Sequence, residues 1–211
     1  MGGKLLSGQT DDPRQLDRGV ARRQAFLMAA REVFLEQGYE AASVNDVVRR
    51  AGGSLATLYA QFGNKEGLFL AVTQDQHDRF VKDIIPDCVD NLPLEEGLTK
   101  MGEQYARAVL TRENLAFFRI IIGEGRKFPE LLQRYMTAGA DRVRANVSAY
   151  LKTCAPAIKD PDAAASSFMQ LMGGRLQYRS LADQAFKPTE AELLEHVREN
   201  VDLFLNGVLP R

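Results

Sequence analysis

Residues 43–68 constrain the fold more than any other part of the chain. They read SVNDVVRRAGGSLATLYAQFGNKEGL, with two serines that each precede a short apolar-periodic stretch and a glycine pair between the stretches. Ser43 and Ser54 are favourable helix N-caps, and Gly52 and Gly53 allow the backbone to make a tight turn. The pattern predicts two short helices joined by that turn and followed at once by a third helix. This helix-turn-helix arrangement is typical of proteins that place the second short helix in the major groove of DNA.

The second of these short helices, residues 54–62, has the composition that DNA reading requires. It contains no acidic residue that would repel phosphate. Leu58 and Phe62, four residues apart, are predicted to face inward and to pack the helix against the rest of its domain. Hydroxyl and amide side chains can then hold phosphate oxygens, while Leu55 and Ala56 can contact thymine methyl groups. An ordinary helical hairpin with aromatic core residues is the alternative. The candidate DNA-binding residues are Ser43, Ser54, Leu55, Ala56, Thr57, Tyr59, Gln61 and Lys65.

The rest of the chain also has the pattern of helices. We find no alternating strand pattern of useful length and no internal repeat, and Thr189 with Glu192 forms a capping box for the last helix. The prediction is an all-α fold of about nine helices. We expect a flexible N-terminal extension at residues 1–20 and a helix-turn-helix DNA-binding domain at residues 21–66. Residues 67–211 are expected to form a larger helical domain for ligand binding and dimerisation.

Basic charge is concentrated near the N-terminus. The whole chain has a formal net charge of −1, but residues 14–65 contain eight basic and five acidic residues and therefore carry +3. A basic end on a mildly acidic body is expected when only that end meets phosphate, although a chance scatter of charges gives a similar count. Among the early arginines, Arg22 or Arg23 is expected to have a modest phosphate-binding role.

The composition argues against export and membrane insertion. No apolar run approaches the length of a bilayer span, and the N-terminus lacks an apolar signal core. We therefore expect a cytoplasmic protein with no membrane contact. Cys88 and Cys154 are too few and too far apart to indicate a disulfide scaffold or a zinc site. Both lie near predicted helix ends, so a redox-sensing regulator that uses them as a switch remains an alternative.

The chain lacks the signatures of an enzyme. Its only histidines are His77 and His196, and it has no glycine-rich phosphate loop and no nucleophile with a visible partner. Asp75, His77 and Asp78 lie close together in sequence, but the spacing of the three puts them on different faces of one helix, so we expect neither a metal nor a cofactor. A helical adaptor that does not bind DNA is the remaining alternative to a DNA-binding regulator.

A ligand-binding cavity in the C-terminal domain would need apolar walls with a few polar anchors. Aromatic and methionine residues at helical spacing fit such walls, although they fit ordinary core packing equally well. Arg175 and Tyr178 stand out because polar groups on a mostly apolar helix need a partner. No charge excess indicates a strongly anionic or cationic ligand. The candidate ligand-binding residues are Met101, Tyr105, Phe118, Ile121, Met169, Met172, Arg175 and Tyr178.

The last two predicted helices suit a dimer interface. Residues 161–182 carry small side chains that permit close helix approach, and residues 189–207 carry an apolar stripe. Packing within a single chain would explain the same stripe. The candidate dimer-interface residues are Ser167, Leu171, Gly174, Val197, Val201 and Phe204.

Residues 22–72 resemble the N-terminal domain of the tetracycline-repressor (TetR/AcrR) family of bacterial one-component regulators. The resemblance runs through RRQAFLMAAREVFLEQGYEAASV, NDVVRRAG and SLATLYAQFGNKEGLF, and the later segment FFRIIIGEGRKFPELLQRYMTAG resembles the C-terminal domain of the AefR-like branch. The resemblance implies a homodimer whose paired reader helices enter successive major grooves of a near-palindromic operator. It also implies a small-molecule effector that binds the C-terminal domain and releases the DNA, with repression as the usual outcome.

The resemblance also assigns roles to individual residues. Thr57, Tyr59 and Lys65 match the phosphate-contacting positions of the family. Ser54, Leu55 and Ala56 match its base-facing positions.

The chain departs from the family pattern at three places. Gly53 stands where a branched apolar residue is usual, which is expected to loosen the turn, and Gln61 replaces a common histidine or tyrosine. Leu55 and Ala56 offer no hydrogen bonds to base edges, so specificity would rely on methyl contacts and DNA shape.

Overall fold

The computed structural model describes residues 13–84 and 92–208, and all regular structure in these ranges is α-helical. The all-α prediction and its approximate number of helices are confirmed. The nine helices of the described ranges are α1 (Pro13–Ala41), α2 (Val44–Ala51), α3 (Leu55–Phe62), α4 (Lys65–Ile84), α5 (Leu94–Val109), α6 (Arg112–Glu124), α7 (Pro129–Cys154), α8 (Pro161–Ala182) and α9 (Glu190–Val208).

The chain divides into two compact units, Met1–Val72 and Thr73–Arg211. The division falls inside α4, later than the predicted boundary after residue 66. The start of α1 also differs from the expectation, because residues 13–20 belong to this helix rather than to an extension. Residues 1–12 lie outside the described part of the chain.

The N-terminal unit is held together by a buried aromatic and aliphatic core. Phe34 contacts the ring of Phe69 with centroids 4.9 Å apart, and Phe26 meets Phe62 edge-on at 6.3 Å. Both α2 and α3 are only eight residues long, too short to be stable on their own in water, so their positions depend on this core. The fully or almost fully buried side chains of this unit include Phe26, Ala30, Val33, Phe34, Val47, Leu58, Leu68, Phe69 and Val72.

The core of the C-terminal unit forms between α5, α7, α8 and α9. Phe168 of α8 and Phe204 of α9 pack edge-to-face at 5.3 Å. The predicted capping box of α9 is present: the Glu192 backbone N–H donates to Oγ1 of Thr189 at 3.2 Å, and the Thr189 N–H donates to the Glu192 carboxylate at 2.7 Å. The hydrogen bonds that the Glu192 carboxylate accepts from the backbone N–H and the hydroxyl of Thr189 lower its pKa.

The apolar stripe of α9 packs inside its own chain, which corrects part of the predicted dimer interface. Three of the predicted interface residues expose no more than 2% of their surface and belong to the core of the C-terminal unit: Val197, Val201 and Phe204. They are therefore unavailable to a partner chain. The sequence allowed both readings of this stripe, and packing within the chain is the one that the fold adopts.

No helix in residues 13–84 or 92–208 combines the length and the apolar composition that a bilayer crossing requires.

Neighbouring isoleucines of α6 provide a matched test of this packing. Ile121 has no exposed surface, whereas Ile122 is 49% exposed. We expect Ile121→Ala to lower the free energy of unfolding by about 2–5 kcal/mol, because it removes buried methyl groups and leaves a cavity. Ile122→Ala should change it by no more than about 0.5 kcal/mol. Denaturant titrations followed by circular dichroism would measure both values, and equal losses would contradict the assigned orientation of α6.

Candidate functional site

Helix α3 presents a single exposed face that carries no acidic residue. Leu58 has no exposed surface and Phe62 is 8% exposed, so both face inward as predicted. Leu55 is 37% exposed and Tyr59 is 44% exposed, and Ala56 and Thr57 are exposed beside them. Four of the predicted DNA-binding residues thus share one accessible surface of the N-terminal unit. They are Leu55, Ala56, Thr57 and Tyr59.

The start of α3 is fixed by a side-chain cap. Oγ of Ser54 accepts a hydrogen bond from the backbone N–H of Thr57 at 3.1 Å, and the two side-chain hydroxyls lie 2.9 Å apart. A hydroxyl can donate once and accept twice, so both keep capacity for a further partner. Ser43 occupies the N-cap position of α2, but its side chain makes no capping hydrogen bond.

Two of the predicted polar residues are less accessible than expected. Gln61 is only partly exposed, and its amide oxygen is buried without a hydrogen-bond partner. Lys65 is half-buried: its Nζ donates to the carbonyl oxygen of Glu40 at 2.9 Å and lies 4.9 Å from the ring centroid of Tyr39. An ammonium group has three N–H donors, so Lys65 can hold its present partner and a phosphate at the same time.

The turn between α2 and α3 is built around positive backbone angles. Gly52 has φ 72° and Gly53 has φ 101°. A Cβ atom on residue 53 would also lie 3.2 Å from Cζ of Phe26. The backbone follows a path that side-chain-bearing residues rarely adopt, so the branched residue that is usual at this position would be strained here. Gly53 therefore shapes this turn rather than merely loosening it.

The two arginines that were candidates for phosphate binding make internal contacts instead. Nη1 of Arg22 donates to the carbonyl oxygen of Ala51 at 3.3 Å, directly before the glycine turn. The guanidinium carbon of Arg23 lies 4.6 Å from the centroid of the Phe62 ring, a cation–π geometry. Both side chains therefore help to position α3.

The basic residues at the end of α2 are largely paired. Arg50 forms two hydrogen bonds with Glu36, at 2.8 and 2.5 Å, and this contact lowers the pKa of the Glu36 carboxyl. Arg49 donates to Asp46 at 2.8 Å. The net charge of +3 already includes both acids, so these pairs leave it unchanged but engage two of the eight basic side chains.

A cavity of about 410 Å³ lies in the C-terminal unit. Of the eight predicted ligand-binding residues, Tyr105, Phe118, Met169 and Tyr178 line it. Its remaining walls are Gln76, Phe80, Val109, Asn114, Tyr135, Asp141, Arg144, Ser166, Gln170, Gly173, Gly174, Gln177 and Leu181.

The other four predicted ligand-binding residues do not line this cavity. Ile121 and Met172 have no exposed surface and pack into the core, and Arg175 is exposed on α8 without contributing to the wall. Met101 borders a separate hollow of about 10 Å³. These four residues therefore lie outside the wall of the large cavity, because one apolar helix carries both core-facing and cavity-facing residues, and helical spacing alone does not separate them.

The α8 wall of the cavity contains a break in the helix. Gly174 has φ 22° and ψ −128°, outside the helical region. Nε2 of His196 lies 3.1 Å from the carbonyl oxygen of Met172, and Nδ1 lies 3.1 Å from Nδ2 of Asn200. This network places the proton on Nε2, which donates to Met172, while Nδ1 accepts from Asn200. A buried histidine of α9 thus supplies a donor beside the break, where carbonyls lose helical partners.

The interior of the cavity is aromatic and carries little charge. Burial raises the pKa of Tyr105 to about 12, and burial together with the nearby Tyr105 raises that of Tyr135 to about 12. Asp141 and Arg144 form an ion pair at 2.8 Å, with both side chains partly exposed. Both tyrosines are therefore neutral hydroxyls near pH 7, and the two charged residues among the described lining, Asp141 and Arg144, have opposite signs.

Residues 13–84 and 92–208 contain no group of three metal-ligating side chains, and Cys154 is a free cysteine. Cys88 lies outside the described residues, so the proposed redox pair stays a prediction.

Two family profiles match the chain. Residues 26–72 match the bacterial regulatory proteins of the tetR family, and residues 96–207 match the C-terminal domain of AefR-like transcriptional repressors.

Curated relatives match over shorter stretches. The HTH-type transcriptional repressor ComR of Escherichia coli (strain K12) is 50% identical over 61 residues, which are 29% of each chain. The HTH-type transcriptional activator FasR of Mycolicibacterium smegmatis is 43% identical over 63 residues, 30% of this chain and 29% of the relative. The chain thus spans less than a third of the length of these relatives.

Solved structures match over most of the chain. A TetR-family transcriptional regulator from Mesorhizobium loti superposes with a TM-score of 0.80 at 22% identity, covering 90% of this chain and 97% of the other. The flavonoid-responsive regulator FrrA superposes with a TM-score of 0.76 at 29% identity, covering 90% and 98%.

The glycine turn before α3 generates a testable prediction. We expect Gly53→Ala to lower the free energy of unfolding by about 1–3 kcal/mol, because alanine is strained at this φ and its Cβ approaches Phe26. Gly19→Ala is the matched control: Gly19 lies in α1 with nothing within 4 Å of an added Cβ, so this change should stabilise by up to about 1 kcal/mol. Chemical denaturation would measure both, and a neutral Gly53→Ala would contradict the turn geometry.

Proposed function

Because the chain belongs to the tetR family of bacterial regulatory proteins, with an AefR-like C-terminal domain, we propose that it is a ligand-responsive transcriptional regulator acting as a dimer on DNA in the cytoplasm. The observation that carries this proposal is the exposed face of α3, which has no acidic residue. The buried side chains of Leu58 and Phe62 fix the orientation of this helix on its domain. The alternative of a non-DNA-binding adaptor offers no reason for that face.

The dimensions and chemistry of α3 support insertion into the major groove. An α-helix with its side chains is about 10–12 Å across, close to the width of the major groove, and the eight residues of α3 provide about two turns to lie in it. Leu55 and Ala56, in its first turn, would contact base edges through methyl groups, and Thr57 and Tyr59 would hold phosphate oxygens. Gln61 is a weaker candidate because its amide oxygen is buried.

Repression is the proposed mode of regulation. The matched C-terminal profile is that of repressors, and ComR is a repressor. FasR is an activator, so the shared N-terminal motif by itself supports either direction. A repressor of this kind would occupy a near-palindromic operator as a dimer and leave it when its effector binds.

The effector would bind in the cavity of the C-terminal unit. A volume of about 410 Å³ lies within the usual range for sites that enclose small organic molecules. FrrA, with which the chain shares its fold, is a flavonoid-responsive regulator, which supports a small-molecule effector here. We assign transmission of the signal to α4, because this helix carries Lys65 in its first turn and contributes Gln76 and Phe80 to the cavity wall. The ligand must bind the two functional states with different affinity for any such signal to arise.

The dimer would use the outer face of α8. Of the six predicted interface residues, Ser167 is exposed, and Leu171 is half-buried with one side packed against the core. Gly174 is half-buried and also lines the cavity. Arg175, four residues after Leu171, extends the exposed surface.

DNA binding can be tested by fluorescence anisotropy on the DNA that flanks the gene, with scrambled DNA as reference. We expect Tyr59→Phe to weaken sequence-selective binding about tenfold, because it removes a hydrogen bond to a charged phosphate. Tyr59 is exposed, so folding should be unaffected. Equal binding by wild type and Tyr59→Phe would remove the phosphate role of this hydroxyl.

The salt dependence of the same binding tests Lys65. Lys65→Met keeps the aliphatic stem on Tyr39 but should reduce the slope of log affinity against log salt by about 1.8, because the proposed dimer loses one phosphate contact in each protomer. Lys100→Met, at an exposed position of α5, is the control and should leave the slope unchanged. If neither flanking DNA nor a selected-oligonucleotide pool yields salt-sensitive binding, the adaptor function is favoured.

The dimer face has a matched pair of variants. Ser167 and Thr153 are both exposed, and each hydroxyl donates to the carbonyl one turn earlier, at 3.0 and 3.1 Å. We expect Ser167→Arg to raise the dimer dissociation constant at least about tenfold, because a bulky cation would enter a close helix contact. Thr153→Arg on α7 should leave it unchanged. Sedimentation velocity would measure both, and an intact dimer of Ser167→Arg would exclude this face.

A further inference from the structure

We propose that the cavity of the C-terminal unit selects an uncharged, flat aromatic molecule and rejects a carboxylate of the same shape. The inference rests on the proposed function only in treating this cavity as the effector site. Binding to the cavity is itself measurable without DNA.

The walls of the cavity include two pairs of aromatic rings, contributed by four helices. Phe80 of α4 and Tyr105 of α5 form one pair, with centroids 6.2 Å apart and planes inclined at 72°. Phe118 of α6 and Tyr135 of α7 form a second pair at 6.0 Å and 44°. Aromatic rings favour other rings in offset or edge-to-face contact, so a flat ring system enclosed by both pairs gains more than an aliphatic molecule of equal size.

The described lining carries no net charge. Asp141 and Arg144 are the charged residues among its described members, and they form an ion pair at 2.8 Å. The raised pKa of Tyr105 shows that an anion at this depth is penalised by desolvation, and a ligand carboxylate would meet the same penalty. A neutral ligand avoids it.

Neutral polar groups are instead plentiful along the walls. Gln76 donates to Oδ1 of Asn114 at 2.7 Å, and Asn114 donates to the carbonyl oxygen of Ala108 at 2.5 Å, so the orientation of the Asn114 amide is fixed. Gln170 and Gln177 add side-chain amides from α8. Amides and tyrosine hydroxyls both donate and accept, which suits the hydroxyl and carbonyl substituents of a neutral aromatic compound.

Three probes of matched size separate the contributions of ring and charge: 2-naphthol, its saturated analogue decahydro-2-naphthol, and 2-naphthoate. Isothermal titration calorimetry at pH 7 on the full chain would give their dissociation constants. We expect 2-naphthol to bind at least about tenfold more tightly than 2-naphthoate, because burial disfavours the charged form. It should also bind more tightly than the saturated alcohol. Equal or tighter binding of 2-naphthoate or of decahydro-2-naphthol, or binding of none of the three, would overturn the proposal.

A pair of variants locates the binding. Gln170 lines the cavity but is exposed, so Gln170→Trp should fill the space without disturbing the core and should abolish 2-naphthol binding. Gln170→Ala should retain it. Retention by Gln170→Trp, with an unchanged circular dichroism spectrum, would place the probe elsewhere and overturn the proposal.

The experiments distinguish an error in the proposed ligand class from an error in the proposed regulatory function. A chain that binds 2-naphthol but no DNA would refute the regulator and leave the cavity chemistry standing. A chain that binds its operator but prefers 2-naphthoate would refute the ligand class alone.

Discussion

Burial of Leu58 and Phe62 beneath α3 is the interaction on which the reader surface depends. A helix of eight residues has too few internal hydrogen bonds to persist alone, so its register and orientation come from the core that it covers. Leu58 and Phe62, four residues apart, share the inward face, while Leu55 and Tyr59 lie at the margins of that face and remain 37% and 44% exposed. The cation–π contact of Arg23 with the Phe62 ring further stabilises this position of α3.

Both proposed activities also depend on a glycine that takes a backbone angle other residues avoid. Gly53 lets the turn pass close to Phe26, which sets the approach of α3 to its domain. Gly174 breaks α8 where the helix forms the cavity wall, and the donor from His196 stabilises the carbonyl of Met172 beside the break. At both glycines the backbone departs from helical geometry, and a side chain contacts the irregular segment: Phe26 beside Gly53, and His196 beside Gly174.

Sequence patterns predicted the helices, their caps and the inward face of α3, since these features follow from spacing within one short segment. Thr189 and Glu192 are an example, because the capping box is complete within four residues. The cavity could be predicted only in part. Phe118 lines it while Ile121 packs into the core, although both are apolar residues of α6 one turn apart. Whether a residue lines the cavity or packs into the core depends on its distance from the neighbouring helices. The spacing of apolar residues within one helix does not determine that distance.

The same limit explains why amides were missed as cavity residues. Gln170 and Gln177 look like solvent-facing positions on α8, and their role emerges only from their placement beside Gly173 and Gly174. A ligand that packs on these glycines lies against the broken turn that His196 holds from α9. It therefore has a physical means of favouring one α8 geometry over another, through the contacts that it gains in one and loses in the other. The resulting shift is bounded by that difference in affinity, so the response grows with the preference of the ligand for one α8 geometry over the other.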